Sequence, residues 1–309
     1  MNLLLWFLLF FVTLLALVKS ANIFTRYAEK LGHVLGMSQF IVGVVIVAIG
    51  TSLPELATSL SSVIQRETGM VSGNVLGTVI ANILLGLGLA AIFSKKIIKI
   101  KHDIFQGDFP IFIGAILLVF FTMMDGNLTP REALLFLLGF IVYLSYSRIV
   151  HRDSKESSRQ PFSWKIIWGL VISLAIIALS SHWIIKSIIE IAGLLGFGTS
   201  VLAASLIAVG TSLPEIAVAI TAVRRGNHDL LIGNIIGSNI FDIFVILGAS
   251  GLITTLVVPQ VVVTLIIPFI LAVSILYWVV SHDRKINRAE GLLMILIYLL
   301  FIGKLFSFI

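Results

Sequence analysis

Long apolar runs separated by short polar connections make up almost the whole chain. Runs of about 17 to 25 residues are long enough to cross a bilayer as helices. Ten such spans are predicted, near residues 3–18, 40–64, 71–93, 109–123, 133–150, 164–185, 199–223, 230–253, 258–280 and 291–305. The expected fold class is therefore an all-α membrane protein. The first run has no basic residue before it and no clean small-x-small cleavage pattern after it, so it is read as a span rather than a secretory signal.

The polar residues inside these runs follow a pattern. The hexapeptide Gly-Thr-Ser-Leu-Pro-Glu stands at residues 50–55 and again at 210–215. Gly73-Asn74, Gly77, Ile80, Ile83, Leu87 and Gly88 recur 160 positions later as Gly233-Asn234, Gly237, Ile240, Ile243, Leu247 and Gly248. Residues 50–88 thus align with 210–248 without a gap. The most polar connection, 152–161, falls between the copies. The expected organisation is a first repeat over 1–150, a linker over 151–163 and a second repeat over 164–309. With five spans per half, the second copy must enter the membrane from the opposite side. Two inverted five-helix repeats built around broken helices are the plan of secondary transporters, whose substrate site lies near the bilayer midplane.

Composition agrees with this reading and charge orients it. Hydrophobic residues form 59% of the 309 and charged residues 12%, which leaves no sizeable water-facing domain. The connections after spans 1, 3, 5, 7 and 9, with their flanks, carry 3, 4, 5, 2 and 3 Lys and Arg, and so hold most of the 21. By the positive-inside rule these connections, the linker 151–163 among them, are cytoplasmic and both termini extracytoplasmic. The net charge of +6 is then a topology signal, with no nucleic-acid partner implied. The expected location is the cell membrane, multi-pass, with lipid as surroundings and no obligatory protein partner. There is no cysteine, hence no disulfide or thiolate metal site. Neither His-Glu-x-x-His nor Gly-x-Gly-Asp occurs, which argues against an intramembrane enzyme. No cofactor is expected.

The chemistry lies in the two copies. Pro54 offers no N–H to the carbonyl of Gly50 and crowds it, and Pro214 does the same to Gly210, so each helix is expected to open near residues 50–52 and 210–212. Freed carbonyls near Ala48, Thr51, Ala208 and Thr211, with the hydroxyls of Thr51, Ser52, Thr211 and Ser212, become candidate cation ligands. The rival reading of Ser52-x-x-Glu55 and Ser212-x-x-Glu215 is a capping box, yet a carboxylate deep in an apolar run points to function. Asn74, Thr78 and Asn82, and likewise Asn234, Ser238 and Asp242, recur every four residues and so share one helix face. Asn74 and Asn234 are read as polar glue between helices. The full donor set is oxygen, which suits Ca2+ or Na+ and not Zn2+ or Cu2+. Glu55 and Glu215 match one Ca2+ or two Na+ in charge, and Asp242 adds a third negative charge opposite neutral Asn82. The pair of spans 1 and 6 is expected to slide against a rigid core of spans 2, 3, 7 and 8.

These two segments resemble the alpha-repeats of the cation/Ca2+ exchanger superfamily, most closely the prokaryotic sodium/calcium exchangers. The resemblance implies exchange of Na+ for Ca2+, with Glu55 and Glu215 as central ligands shared by both ions and Asn82 and Asp242 completing the middle. It also implies outer Na+ sites from Ala48, Ser52 and Thr78 on one side and Ala208, Ser212 and Ser238 on the other, with main-chain oxygen from Thr51 and Thr211. Thr78 departs from the serine usual in the first repeat. Proton-coupled relatives carry a glutamate where this chain has Gly77 and Gly237, which favours Na+ as counter-ion. H+/Ca2+ exchange and a K+-dependent variant are the alternatives.

Overall fold

The computed structural model describes residues 3–150, 162–194, 210 and 212–305. Within them the apolar runs are helices: α1 (Leu3–Leu35), α2 (Gln39–Ile64), α3 (Thr68–Phe93), α4 (Asp108–Met123), α5 (Pro130–Val150), α6 (Trp164–Leu194), α7 (Leu213–Arg224), α8 (His228–Ile253), α9 (Val262–His282) and α10 (Arg288–Leu305). Among the described residues α1, α2, α3, α6, α8 and α9 are long and apolar enough to cross a membrane, and α4 is a shorter apolar helix. Large apolar side chains such as Leu4, Leu8, Phe121, Trp168 and Leu296 are exposed on the outside of the bundle. A surface of this kind is stable only against lipid.

The helices sort into two groups by burial. Helices α3 and α8 are almost entirely enclosed, whereas α1 and α6 face outward over most of their length and pair with each other. At 33 and 31 residues these two run well past the predicted ends of their spans. Charged Lys19 and Arg26 end the apolar stretch of α1 without ending its helix, because both are good helix formers.

Close backbone approach fixes the core. α8 lies against the first turns of α2, where a Cβ on Gly233 would collide with the carbonyl of Phe40, and one on Gly237 would stand 2.6 Å from Cα of Val44. Small residues four apart permit this contact. Among the described residues, a Cβ on Gly73, the equivalent of Gly233, would meet only the Val262 side chain, at 3.7 Å.

Two short antiparallel ladders tie the halves at the bundle's ends. β1 (Ile98–Lys99) pairs with β4 (Lys285–Ile286), and β2 (Asn127–Leu128) with β3 (Leu256–Val257). Each ladder joins one strand from each half of the chain.

Candidate functional site

Where the repeats meet, the helices are wound irregularly. Val42–Val47, Asn82–Leu87 and Asp242–Leu247 are π-helical, and the last two lie 160 residues apart, each opening on a candidate ligand. Turns of this kind concentrate at functional sites, because the wider winding leaves backbone groups without their usual partners.

The expected opening at residues 50–52 does not occur. Residues 48–64 form continuous α-helix with Pro54 inside it, and the irregular winding lies earlier, over Val42–Val47. Pro54 removes a single hydrogen bond, and the Thr51 hydroxyl donates back to the carbonyls of Val47, at 3.0 Å, and Ala48, at 3.3 Å. The Ala48 carbonyl is thereby engaged, leaving that of Gly50 as the one Pro54 cannot serve. In the second copy the described helix begins at Leu213, with Pro214 and Glu215 in its first turn. Ala208 and Thr211 lie outside the described residues.

The described candidates are all buried. Ala48, Thr51, Ser52, Ser212, Ser238 and Asp242 have no solvent exposure, and Glu55, Thr78, Asn82 and Glu215 almost none. Ser52 Oγ donates to Glu215 Oε1 at 3.4 Å, a contact between the copies that joins residues 163 positions apart. Glu55, one turn after Ser52 on the same helix face, is within electrostatic reach of Glu215 and Asp242. Ser52 also stands near Asp242, short of hydrogen-bond geometry. The two motif glutamates therefore turn inward, toward a common centre.

Hydrogen-bond satisfaction distinguishes this centre from ordinary buried polarity. Both oxygens of Glu55, both of Asp242, Oε2 of Glu215, Oδ1 of Asn82 and Oγ of Ser238 are buried with no hydrogen-bond partner among the described residues. Asp108, a fourth buried carboxylate, is partnered by Tyr143 Oη at 3.1 Å and His102 Nε2 at 3.3 Å. Asp108 is a structural acid. An ionised carboxylate held without a partner costs on the order of several kcal/mol, and a cation is the partner that would remove that cost.

Among the described residues Glu55 accepts no hydrogen bond, so the first capping box does not form. In the second copy Glu215 Oε1 accepts from Ser52 of the first. The glue reading of Asn234 also fails, since neither end of its amide finds a partner, and Oδ1 of Asn74 has none either. Asn239, which the polar stripes passed over, accepts from Asn82 Nδ2 at 3.2 Å. Its signal in the sequence was a polar residue where the first copy has Val79.

Among the described residues no three Asp, Glu, His or Cys side chains converge closely enough to hold a metal ion by themselves. A cation here would need amide, hydroxyl and carbonyl oxygens beside the carboxylates. Such mixed oxygen sets are the usual surroundings of Ca2+.

The sequence profile of the family described as sodium/calcium exchanger protein matches residues 5–148 and 165–306. The chain is 33% identical to the sodium/calcium exchanger MaX1 of Methanosarcina acetivorans, over 97% of this chain and 98% of that protein. It is 31% identical to the putative antiporter CaxA of Alkalimonas amylolytica, over 96% and 97%. A structure of the sodium-calcium exchanger NCX_Mj soaked with neither Na+ nor Ca2+ superposes with a TM-score of 0.85 at 27% identity, over 98% of this chain and 99% of that one.

Proposed function

The chain belongs to the sodium/calcium exchanger protein family, and on that premise we propose that it is a secondary active antiporter exchanging Na+ for Ca2+ across the cell membrane by alternating access. The observation that carries this reading is the group of buried, unpartnered carboxylate oxygens of Glu55, Glu215 and Asp242 contributed by both copies of the motif. Ca2+ takes the centre, held by Glu55 and Glu215 with Asn82 and Asp242 beside them. Na+ competes for the same two glutamates and also fills outer sites at Ala48, Ser52 and Thr78, and at Ala208, Ser212 and Ser238, with main-chain oxygen from Thr51 and Thr211. Thr78 and Ser238 stand at equivalent, buried positions, in support of paired outer sites.

Coupling then follows from charge. The ions cannot share the centre, and an empty site leaves anionic oxygens without compensation in a low-dielectric interior. Only loaded forms cross between the two access states, so transport is exchange. The moving body is the pair α1 and α6, which packs mainly on itself. Where the pair touches the core, the ring of Phe24 and the side chain of Leu174 lie against Gly50 of the motif, a contact with no side chain to obstruct sliding.

The ten-span, inverted plan is part of this proposal. It is supported by the two ladders, each pairing strands from opposite halves, and by the π segments at equal repeat positions. In proteoliposomes, an imposed Na+ gradient should drive saturable Ca2+ uptake, while K+ and pH gradients imposed alone should not. Uptake driven by a pH gradient without Na+ would overturn the choice of counter-ion.

A further inference from the structure

We propose that Asn239 is a positioning residue, which fixes the Asn82 amide with its oxygen toward the transported ion and so sets the Ca2+ affinity. The inference rests on the reading of Asn82 as a Ca2+ ligand. An amide differs from a carboxylate in having one acceptor end and one donor end. Only the oxygen helps a cation; with the amide turned round, the same residue presents N–H groups and repels it. The NH2 end of a ligating asparagine therefore needs an acceptor on the side away from the ion.

Asn239 supplies that acceptor. Asn82 Nδ2 donates to Asn239 Oδ1 at 3.2 Å, and both residues are buried. The bond leaves the acceptor Oδ1 of Asn82 and the donor Nδ2 of Asn239 enclosed and without a partner among the described residues. Two buried asparagines packed together only for cohesion would be expected to satisfy more of their four polar ends than one donor and one acceptor. The arrangement is that of an amide held in one orientation.

The repeat explains why the device occurs once. Asn82 corresponds to Asp242, and Asn239 corresponds to buried Val79, each pair 160 residues apart. Where the ligand is a carboxylate, both ends are oxygen and no orienting partner is needed, so the position that would orient it is apolar. Where the ligand is an amide, the orienting position carries an amide. Two departures from repeat symmetry thus become one.

The test compares Asn239→Leu, which keeps the side-chain shape and removes the acceptor, in the wild-type and Asn82→Asp backgrounds. Ca2+ half-saturation and maximal rate are read from Na+-driven 45Ca2+ uptake in proteoliposomes, with the amount of reconstituted protein measured alongside. In wild type, Asn239→Leu should raise the half-saturating Ca2+ about tenfold, with a much smaller change in maximal rate. In the Asn82→Asp background the same substitution should change it less than about twofold, because an aspartate offers oxygen either way round. Asn239→Asp retains the acceptor and should not weaken Ca2+ uptake. Equal losses in both backgrounds, or a loss with Asn239→Asp as large as with Asn239→Leu, would reduce Asn239 to a packing residue and overturn the proposal. If Asn239→Leu does not fold, the Asn239→Asp arm decides alone. Unchanged Ca2+ half-saturation in Asn82→Ala would instead remove Asn82 from the site, a failure of the underlying reading that the other arms would not mimic.

Discussion

Ser52 belongs to one copy of the motif and donates its hydrogen bond to the glutamate of the other, which places Glu215 beside the turn that carries Glu55. Most of this neighbourhood was legible at the level of residues. Polar groups that recur with the same offset inside apolar runs have to meet one another or lipid, and lipid is far costlier. Asn239 was not legible, because a lone amide in a buried helix looks the same in sequence whether it orients a ligand or only packs. Asn234, read as glue, has no partner for either end of its amide among the described residues: sequence shows which polar groups are buried and not what they touch. Thr78 carries a methyl that its repeat partner Ser238 lacks, at a position with almost no solvent exposure. Replacing it with serine keeps the hydroxyl and removes that crowding. In uptake assays Thr78→Ser should shift the Na+ half-saturation by about threefold, roughly 0.6 kcal/mol, and leave that for Ca2+ in place. An equal shift for both ions would remove Thr78 from a Na+-selective role.

At the scale of elements, apolar runs located the described helices, but a run's end and a helix's end are different events. α1 carries on through Lys19 and Arg26 to Leu35 because leaving the apolar region does not break a helix. The expected break at Pro54 failed: the proline costs the helix one hydrogen bond, and residues 48–64 run on through it, with the irregular winding earlier, over Val42–Val47. No sequence rule used here could have placed the π turns. The close packing of α8 on α2 gives a contrast in stability. Gly237→Val should destabilise the protein by about 1–3 kcal/mol, seen as a lowered melting temperature, because its Cβ meets the backbone of Val44 and the Cβ of Ala48. Gly114→Ala, at an exposed position of α4 with no described atom within 4 Å of the added Cβ, should melt close to wild type. Equal melting temperatures for the two variants would deny that this contact fixes the core.

The end of α1 is tied to the turn between α7 and α8. Arg225 Nη2 lies 2.6 Å from Glu29 Oε2, Arg225 Nη1 donates to Asn22 at 3.2 Å, and Asn227 donates to Glu29 at 2.9 Å. The positive-inside rule predicts that this end is cytoplasmic, and in that orientation the tie should hold that side closed. A partly exposed ion pair is worth about 0.2–1 kcal/mol. Glu29→Gln should therefore shift the balance toward cytoplasmic opening about threefold, read as faster labelling of a cysteine placed in the cytoplasmic path. Slower labelling would mean that the contact belongs to the open state.

For the whole molecule, the 160-residue repeat was the most informative feature of the chain. It predicts a pseudo-twofold arrangement, and the ladders β1–β4 and β2–β3, each pairing a strand from either half, are compatible with one. The central claim is that Glu55 and Glu215 hold a single Ca2+ between them and that Na+ displaces it from both. Equilibrium 45Ca2+ binding to the purified protein, with Na+ as competitor, tests this most directly. Wild type should bind one Ca2+ per chain at the centre and release it as Na+ rises, and Glu55→Gln and Glu215→Gln should each weaken that same site by at least about a hundredfold, roughly 2.7 kcal/mol. Near-wild-type Ca2+ affinity in either variant, or two separate sites each lost with one glutamate, would contradict the account.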